Sequence, residues 1–381
     1  MINIEDKLNC CGCHACYNIC PKKAIGMKED EKGFKYPYIN KSKCINCGLC
    51  EKVCPIINTR RKEYNIKAYA CYNKNENIRL DSSSGGIFNL LAEKILKKDG
   101  IVFGAKFDKE FNVIHSYIYK VEDLENFRKS KYVQSTIGDT YKEAKEFLDN
   151  GKFVLFTGTP CQIEGLKCYL QKDYDNLHTQ DIICHGVPSP KVWKKYLEYR
   201  KSQDLEEPKQ INFRQKDNGW NLYALFLQYN NNTYKTSHEK DLFMRTFLKD
   251  ASLRDSCYSC SFKQKIRNSD ITLADFWGIK NILPDMNDNK GISLVIVNSD
   301  KGRELFDSIN ENIECREVIP EEAMMYNKSI IQSATMHKNR DEFFDNLDNM
   351  NFDKLVKKYI PKENIINKII RKAKKLIYIN N

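Results

Sequence analysis

The chain has 381 residues, 62 Lys+Arg against 51 Asp+Glu, and a net charge of +11. Hydrophobic residues at 41% and charged residues at 30% exclude a disordered or collagen-like chain and suggest two or three folded units. No apolar run reaches the roughly 18–20 residues of a membrane-spanning helix, and residues 1–9 lack the basic and apolar regions of a secretory signal, so a cytoplasmic protein is expected. The positive balance reads as ordinary solubility in a Lys-, Asn- and Ile-rich chain, with an acidic partner or anionic cofactor as the alternative. Sixteen cysteines in a reducing compartment point to metal binding or catalysis, not to disulfides.

Nine of the cysteines lie in the first 54 residues, and eight of these form two copies of one pattern. The first is Cys10-x2-Cys13-x2-Cys16-x3-Cys20-Pro21, and the second is Cys44-x2-Cys47-x2-Cys50-x3-Cys54-Pro55. The copies are offset by 34 residues and form the bacterial two-cluster ferredoxin run. Three thiolates at two-residue gaps wrap one cubane. The fourth starts a chain segment leading away, so it ligates the other cluster. One [4Fe–4S] cluster is thus expected on Cys10, Cys13, Cys16 and Cys54, and a second on Cys44, Cys47, Cys50 and Cys20. Zinc would show CxxC pairs with a longer spacer. Cys11 falls outside the pattern and reads as a spectator thiol. Phe34–Ile39 reads as a short strand covering the clusters, and Asn58–Glu63 as a linker. A unit this small needs the clusters as a staple.

From Ala68 the chemistry changes. Ala68–Tyr72 reads as a strand. The loop Asp81-Ser82-Ser83-Ser84-Gly85-Gly86 opens a helix running from Ile87 to about Lys98; free N–H groups at that start form an anion site, with a plain serine N-cap as the alternative. Ile101–Phe107 and Val113–Tyr119 read as a hairpin, Asp139–Asn150 as a helix and Lys152–Phe156 as a buried strand. This strand runs into Thr157-Gly158-Thr159-Pro160-Cys161-Gln162 and a helix over Ile163–Leu170, an arrangement that places a ligand at the strand's carboxyl end. Strands follow at Thr179–Cys184, Asp270–Gly278 and Gly291–Val297, the last leading into a helix over Lys301–Ile309.

The ferredoxin repeat is followed in order by five further motifs. They are Ser82–Phe88, Lys131-Tyr132-Val133-Gln134-Ser135, Gly158–Gln162, Cys184-His185-Gly186-Val187-Pro188 and Ala274-Asp275-Phe276-Trp277-Gly278. Over residues 1–310 or so the chain resembles the coenzyme F420 hydrogenase/dehydrogenase beta-subunit family, in its form with a ferredoxin module in front. The resemblance implies an α/β fold with α+β elements: a small ferredoxin domain, then a flavin-binding body. It implies FAD in that body, with Ser83, Ser84, Gly85, Gly86, Lys131, Gln134 and Ser135 around it, and Gly158 and Thr159 nearby. It also implies electron movement between a deazaflavin-like hydride carrier, FAD and the clusters, and a redox partner protein. A flavin can accept two electrons and release them singly, which is the conversion such a chain requires.

Cys161, Cys184, Cys257 and Cys260 come from three segments. They could hold a third [4Fe–4S] cluster or a zinc ion, or remain unligated; relatives with a cluster in the body favour the first. Cys71, Cys168 and Cys315 read as buried structural thiols. His185 is a candidate proton donor near the flavin, with a satisfied loop histidine as the alternative. Asp275 reads either as a ribose or hydrogen-bond partner or as a strand-end cap. Asn212–Trp220 could meet an anionic substrate or be a turn, and no nucleic-acid motif accompanies it. The expected organisation is a ferredoxin domain over 1–60, a flavin-binding body in two parts over 66–150 and 151–320, and a helical extension over 321–381. After Pro361, Ile365, Ile366, Ile369, Ile370, Ala373, Leu376 and Ile377 share one face of a basic helix. Docking on protein is that helix's commoner fate, and contact with an anionic membrane the other. The rival to an enzyme is a non-catalytic iron–sulfur subunit serving a partner.

Overall fold

The computed structural model describes residues 2–58 and 65–362. The expected linker, apart from Asn58, and the expected C-terminal helix lie outside the described residues.

The cysteine repeat is also a backbone repeat. Gly12 and its counterpart Asn46 both have positive φ, at 70° and 54°, and so do His14 and Gly48, at 63° and 73°. Each left-handed pair is followed by a short helix, α1 (Ala15–Ile19) and α2 (Leu49–Lys52). Alternating left-handed residues turn successive N–H groups inward, the concave arrangement found around iron–sulfur clusters. Between the copies, β1 (Ile25–Glu29) and β2 (Lys35–Ile39) pair antiparallel, with Ile25 opposite Ile39.

The body is built on β3 (Lys67–Asn73), β4 (Ile101–Phe107), β5 (Val113–Ile118), β6 (Val154–Gly158) and β7 (Leu177–Ile182). A separate three-stranded sheet follows, β8 (Gln210–Gln215), β9 (Ala224–Gln228) and β10 (Thr233–Ser237). The chain then returns with β11 (Ile271–Asp275), β12 (Ser293–Val297) and β13 (Ile313–Val318). The main sheet has the order β13-β3-β12-β11-β7-β6-β4-β5. Its centre, β4, β6, β7 and β11, is parallel, so the carboxyl ends of β6, β7 and β11 open on one edge. This is the α/β fold with α+β elements that the sequence indicated.

Helices cover both faces, and the period-2 alternation of the strands sorts their side chains between them. Val102, Leu155, Leu273 and Val295 pack with Leu91 and Ile95 of α4, which follows the short α3 (α3, Glu76–Asp81; α4, Ile87–Leu96). Their neighbours Phe103 and Phe156 pack on the other side against Tyr141 of α5 (Thr140–Asp149) and Ile163 and Leu166 of α6 (Pro160–Leu170). The α6 helix starts at Pro160, three residues before the expected Ile163. Thr159 and Gln162 form a reciprocal capping box there, and proline sits in the first turn.

The ferredoxin unit does not stand apart. Phe34 and Tyr36 join a core with Trp193 and Tyr196 of α7 (Pro190–Asp204), Phe213, and Phe243 of α8 (Leu242–Leu248). On the other side Gly165, inside α6, lets the cysteine loop approach: a Cβ there would lie 2.7 Å from the Cys13 Cβ and 2.8 Å from the Tyr141 hydroxyl. Gly165→Ala is therefore expected to weaken the seating of the loop by about 1–3 kcal/mol, the usual cost of overpacking. Faster amide exchange over Ala15–Ile19 would report it; unchanged protection would show that the contact does not seat the loop.

Candidate electron-transfer site

Cysteines distant in sequence meet, because the fourth cysteine of each run lies with the first three of the other. Cys20, Cys44, Cys47 and Cys50 line an open cavity of about 390 Å³. Backbone N–H groups of Ala24 and Ile2 donate to the Cys20 and Cys50 sulfurs, each at 3.3 Å. Cys47 and Ile45 are exposed, and exposed Lys22, Lys23, Lys41, Lys43 and Lys52 belong to the same unit. The other set is deeper. Burial raises the Cys16 thiol above its ordinary range, and neighbouring Cys10 and Cys54 add to the effect. Cys54 is raised by burial too, with Cys10 and Cys50 as neighbours. The two sets therefore adjoin through Cys16, Cys54 and Cys50.

The parallel strands assemble a third group. Cys161 follows the carboxyl end of β6 in the first turn of α6, and Cys184 follows β7. Cys257 and Cys260 come from the segment leading to β11. Together with Cys11 they line one cavity of about 560 Å³. The sulfurs ring this cavity instead of converging on a point: among the described residues no three His, Cys, Asp or Glu side chains are close enough to hold a single metal ion. The Cys161 thiol is pushed well above its ordinary range by its hydrogen bond with Cys11 and by burial. Burial pushes Cys184 up to about 12, against the opposing charge of Lys263. The Val187 N–H donates to the Cys257 sulfur at 3.4 Å. Lys263 donates to the Cys184 carbonyl, and Arg267 pairs with Asp181 at 3.1 Å.

Arg254 joins the second and third groups. It is 1% exposed. Its Nε donates to the Cys10 carbonyl at 2.8 Å, Nη1 to the Gln134 side-chain oxygen at 3.1 Å, and Nη2 to the Lys35 carbonyl at 3.0 Å and the Cys10 sulfur at 3.6 Å. Its own carbonyl accepts from the Cys257 N–H. Among the described residues no carboxylate pairs with it. No sequence signal marked Arg254. Cys11, expected to be a spectator, lies in the wall between two cysteine groups, and its position beside Cys10 was the available signal.

The residues expected around a flavin occupy two linked places. Ser83 accepts from the Ser130 N–H at 2.8 Å, Ser84 donates to the Ile292 carbonyl at 2.8 Å, and the Gly85 N–H donates to Ser293 at 3.0 Å. Gly86 starts α4 with φ 80°, and no side chain caps that helix. Two lysines flank the loop, Lys216 buried and Lys131 half-buried. Lys131 donates to the Arg128 carbonyl at 2.7 Å, and Lys216 to the Ser84 carbonyl at 3.2 Å. Burial lowers Lys131 to about 7, aided by Lys129, and lowers Lys216 to about 7, aided by Arg214 and Arg79. Gln134 and Ser135 lie at the other place. Gln134 donates to the Cys11 carbonyl at 3.2 Å. Ser135 meets His115 at 2.8 Å and Gln162 at 2.9 Å, and Gln162 accepts from the Thr159 N–H at 2.9 Å, next to Gly158. Residues 130–135 thus run from the Ser/Gly loop to the cysteines.

His185 lines the central cavity and pairs with Asp250 at 2.5 Å. Asp275 pairs with Arg214 and accepts from Trp220 at 2.9 Å, so its carboxylate is occupied inside the body. The stretch Asn212–Trp220 comprises the end of β8, a turn, and Trp220 stacked on Trp277 at 5.0 Å.

Residues 151–321 match the C-terminal domain of the coenzyme F420 hydrogenase/dehydrogenase beta-subunit family, and residues 9–56 match the 4Fe-4S dicluster domain. Residues 151–321 thus carry a domain of that family, behind a dicluster domain. Coenzyme F420-dependent sulfite reductase of Methanocaldococcus jannaschii is 27% identical over 191 residues, 49% of this chain and 29% of the reductase. An uncharacterized ferredoxin of the same organism is 40% identical over 52 residues, 14% of this chain and 66% of the ferredoxin. The chain thus spans less than a third of the reductase and just under two thirds of the ferredoxin. A chain of the F420-reducing [NiFe] hydrogenase complex from Methanosarcina barkeri superposes with a TM-score of 0.46 at 16% identity, covering 71% of this chain and 92% of that one. Among the described residues no helix is long and apolar enough to cross a membrane.

The two lysines generate a pH prediction. With folded values near 7 and an unfolded value near 10.4, the unfolded chain binds more protons between these limits. Stability of the flavin-free protein should therefore rise with pH from about 7 to about 10. Urea unfolding across that range should show the slope, and Lys216→Met should reduce it. A flat or falling profile would mean that these lysines are charged in the fold.

Proposed function

We propose that the chain is an iron–sulfur flavoprotein oxidoreductase that moves electrons between a deazaflavin-like hydride carrier, FAD and [4Fe–4S] clusters, and on to a protein partner. The observation that carries this reading is continuity: the Ser/Gly loop, residues 130–135, the five-cysteine cavity and the two ferredoxin sets adjoin in that order. The two ferredoxin sets would each hold one cluster. Cys161, Cys184, Cys257 and Cys260 would hold a third; a ring of sulfurs around a cavity suits a cubane better than a zinc ion.

FAD would supply the exchange between two-electron and one-electron chemistry. The residues present fit it. The uncapped start of α4, with Lys131 and Lys216 beside the loop, suits a pyrophosphate. Lys131 would bind that group as an ammonium ion, and Lys216, whose N–H groups go to the Arg79, Ser84 and Lys290 carbonyls, would act on it through its charge, so binding would take up protons. Ser83, Ser84 and Gly85 hold the loop's shape through bonds within the protein, and Gln134 and Ser135 fix the wall facing the cysteines. His185, held by Asp250, is placed to move a proton beside the central cavity. Exposed Cys47 and Ile45 with their surrounding lysines offer the exit surface, suited to an acidic electron carrier.

Anaerobically purified protein should show flavin absorbance together with about twelve irons, four per cubane. Cys257→Ser should remove about a third of the iron and leave the ferredoxin signals intact. Ser84→Asp should keep the iron and lose FAD, because a carboxylate there repels pyrophosphate. Clusters without flavin in the wild type would favour the electron-transfer subunit, and unchanged iron in Cys257→Ser would remove the third cluster.

A further inference from the structure

Two of the sixteen cysteines face each other across neighbouring strands, outside the cluster motifs. In the register of β3 and β13, Cys71 lies directly opposite Cys315. Their sulfurs are 2.9 Å apart. Directly opposed residues of an antiparallel pair have Cα atoms about 4.5–5.5 Å apart, inside the window a disulfide requires. Cys71 is fully buried, whereas Cys315, on the edge strand, is partly exposed. One thiol is therefore open to a reagent from solution, and the other is held against it. Neither has a place in the electron path.

We propose that Cys71 and Cys315 are a reversible thiol–disulfide pair, oxidised by a low-molecular-weight disulfide and reduced by a dithiol. In the first step the Cys315 thiolate attacks one sulfur of the small disulfide. A mixed disulfide forms, and one small thiolate leaves. In the second step the Cys71 sulfur attacks the Cys315 sulfur, the second small thiolate leaves, and it takes up the Cys71 proton. Two protein thiols are oxidised to one disulfide, and one small disulfide is reduced to two thiols. Burial raises the Cys71 thiol, with Cys315 beside it adding to the effect, so Cys315 attacks first and Cys71 resolves.

The position gives the bond a consequence. On its other side Cys71 pairs with Ser293, whose hydroxyl accepts the Gly85 N–H at 3.0 Å. A Cβ on Gly85 would lie 2.5 Å from the Cys71 carbonyl. The disulfide staples the sheet's edge strand to the strand that supports the Ser/Gly loop.

The test uses the full chain, anaerobically purified and titrated with oxidised glutathione, then denatured in an alkylating agent and mapped by mass spectrometry. A peptide pair linked through Cys71 and Cys315 should form while iron content is unchanged. It should disappear with dithiothreitol and be absent from Cys315→Ser. Slowed amide exchange over Ile313–Val318 in the oxidised form would confirm that the edge strand is pinned. Both cysteines alkylated up to the glutathione concentration that releases iron would overturn the proposal. So would Cys315 trapped as a stable glutathione adduct with Cys71 free.

Discussion

A buried arginine with no carboxylate partner among the described residues is the constraint around which this molecule is arranged. Removing a guanidinium from water costs several kcal/mol unless an anion and hydrogen-bond acceptors replace the solvent. Arg254 finds acceptors on Cys10, Lys35 and Gln134, one from each of three regions, and a sulfur of Cys10. A thiolate-ligated cluster on the Cys10 set would supply the missing negative charge. The rings of Tyr36 and Phe34, 4.2 and 5.5 Å from the guanidinium, add their negative faces. The ferredoxin hairpin, the cysteine loop and the segment carrying Cys257 are thus held by one side chain. Its charge favours the reduced, more negative state of whatever it faces.

The same contact explains why the ferredoxin unit, whose own core is only a small cluster around Ile2, Cys16, Ile25 and Cys54, is not separate from the body. Phe34 and Tyr36 contribute to the body's aromatic core, and Gly165 removes the side chain that would keep Cys13 away from α6. Stability, cofactor retention and electronic contact between the parts are consequently one property. A substitution that loosens the seam should affect all three.

Much of this was legible in the chain because the strongest signals were local. The paired cysteine runs, the alternation of β4 and β6, and the strand–turn–helix at Gly158 each carry their period or spacing within a dozen residues. The family resemblance was readable for the same reason, since its motifs are short and ordered. What escaped the sequence is non-local. Arg254 has no motif, and its meaning comes from three acceptors distant in sequence. Cys11 looked idle because its partner, Cys161, is 150 residues away. The pairing of Cys71 with Cys315 depends on a strand register set by the whole sheet. The Ser/Gly loop offered two readings in the sequence, an anion site or a serine cap, and neither foretold that its hydroxyls are spent on Ser130 and Ile292. Two lysines flank the loop, and Lys216 comes from a segment read only as a turn or substrate contact.

In this arrangement the Cys10 set and the central cysteine group share a wall made by Cys11 and Arg254, so a cluster in each would lie side by side. Reduced [4Fe–4S] clusters are paramagnetic, and two of them this close interact. The decisive measurement is low-temperature EPR of the fully reduced protein beside the Cys257→Ser variant. The shared wall predicts a spin-coupled, broadened spectrum in the wild type that loses one coupling in the variant, together with the matching iron. Sharp, independent ferredoxin signals, identical in the two proteins, would contradict it.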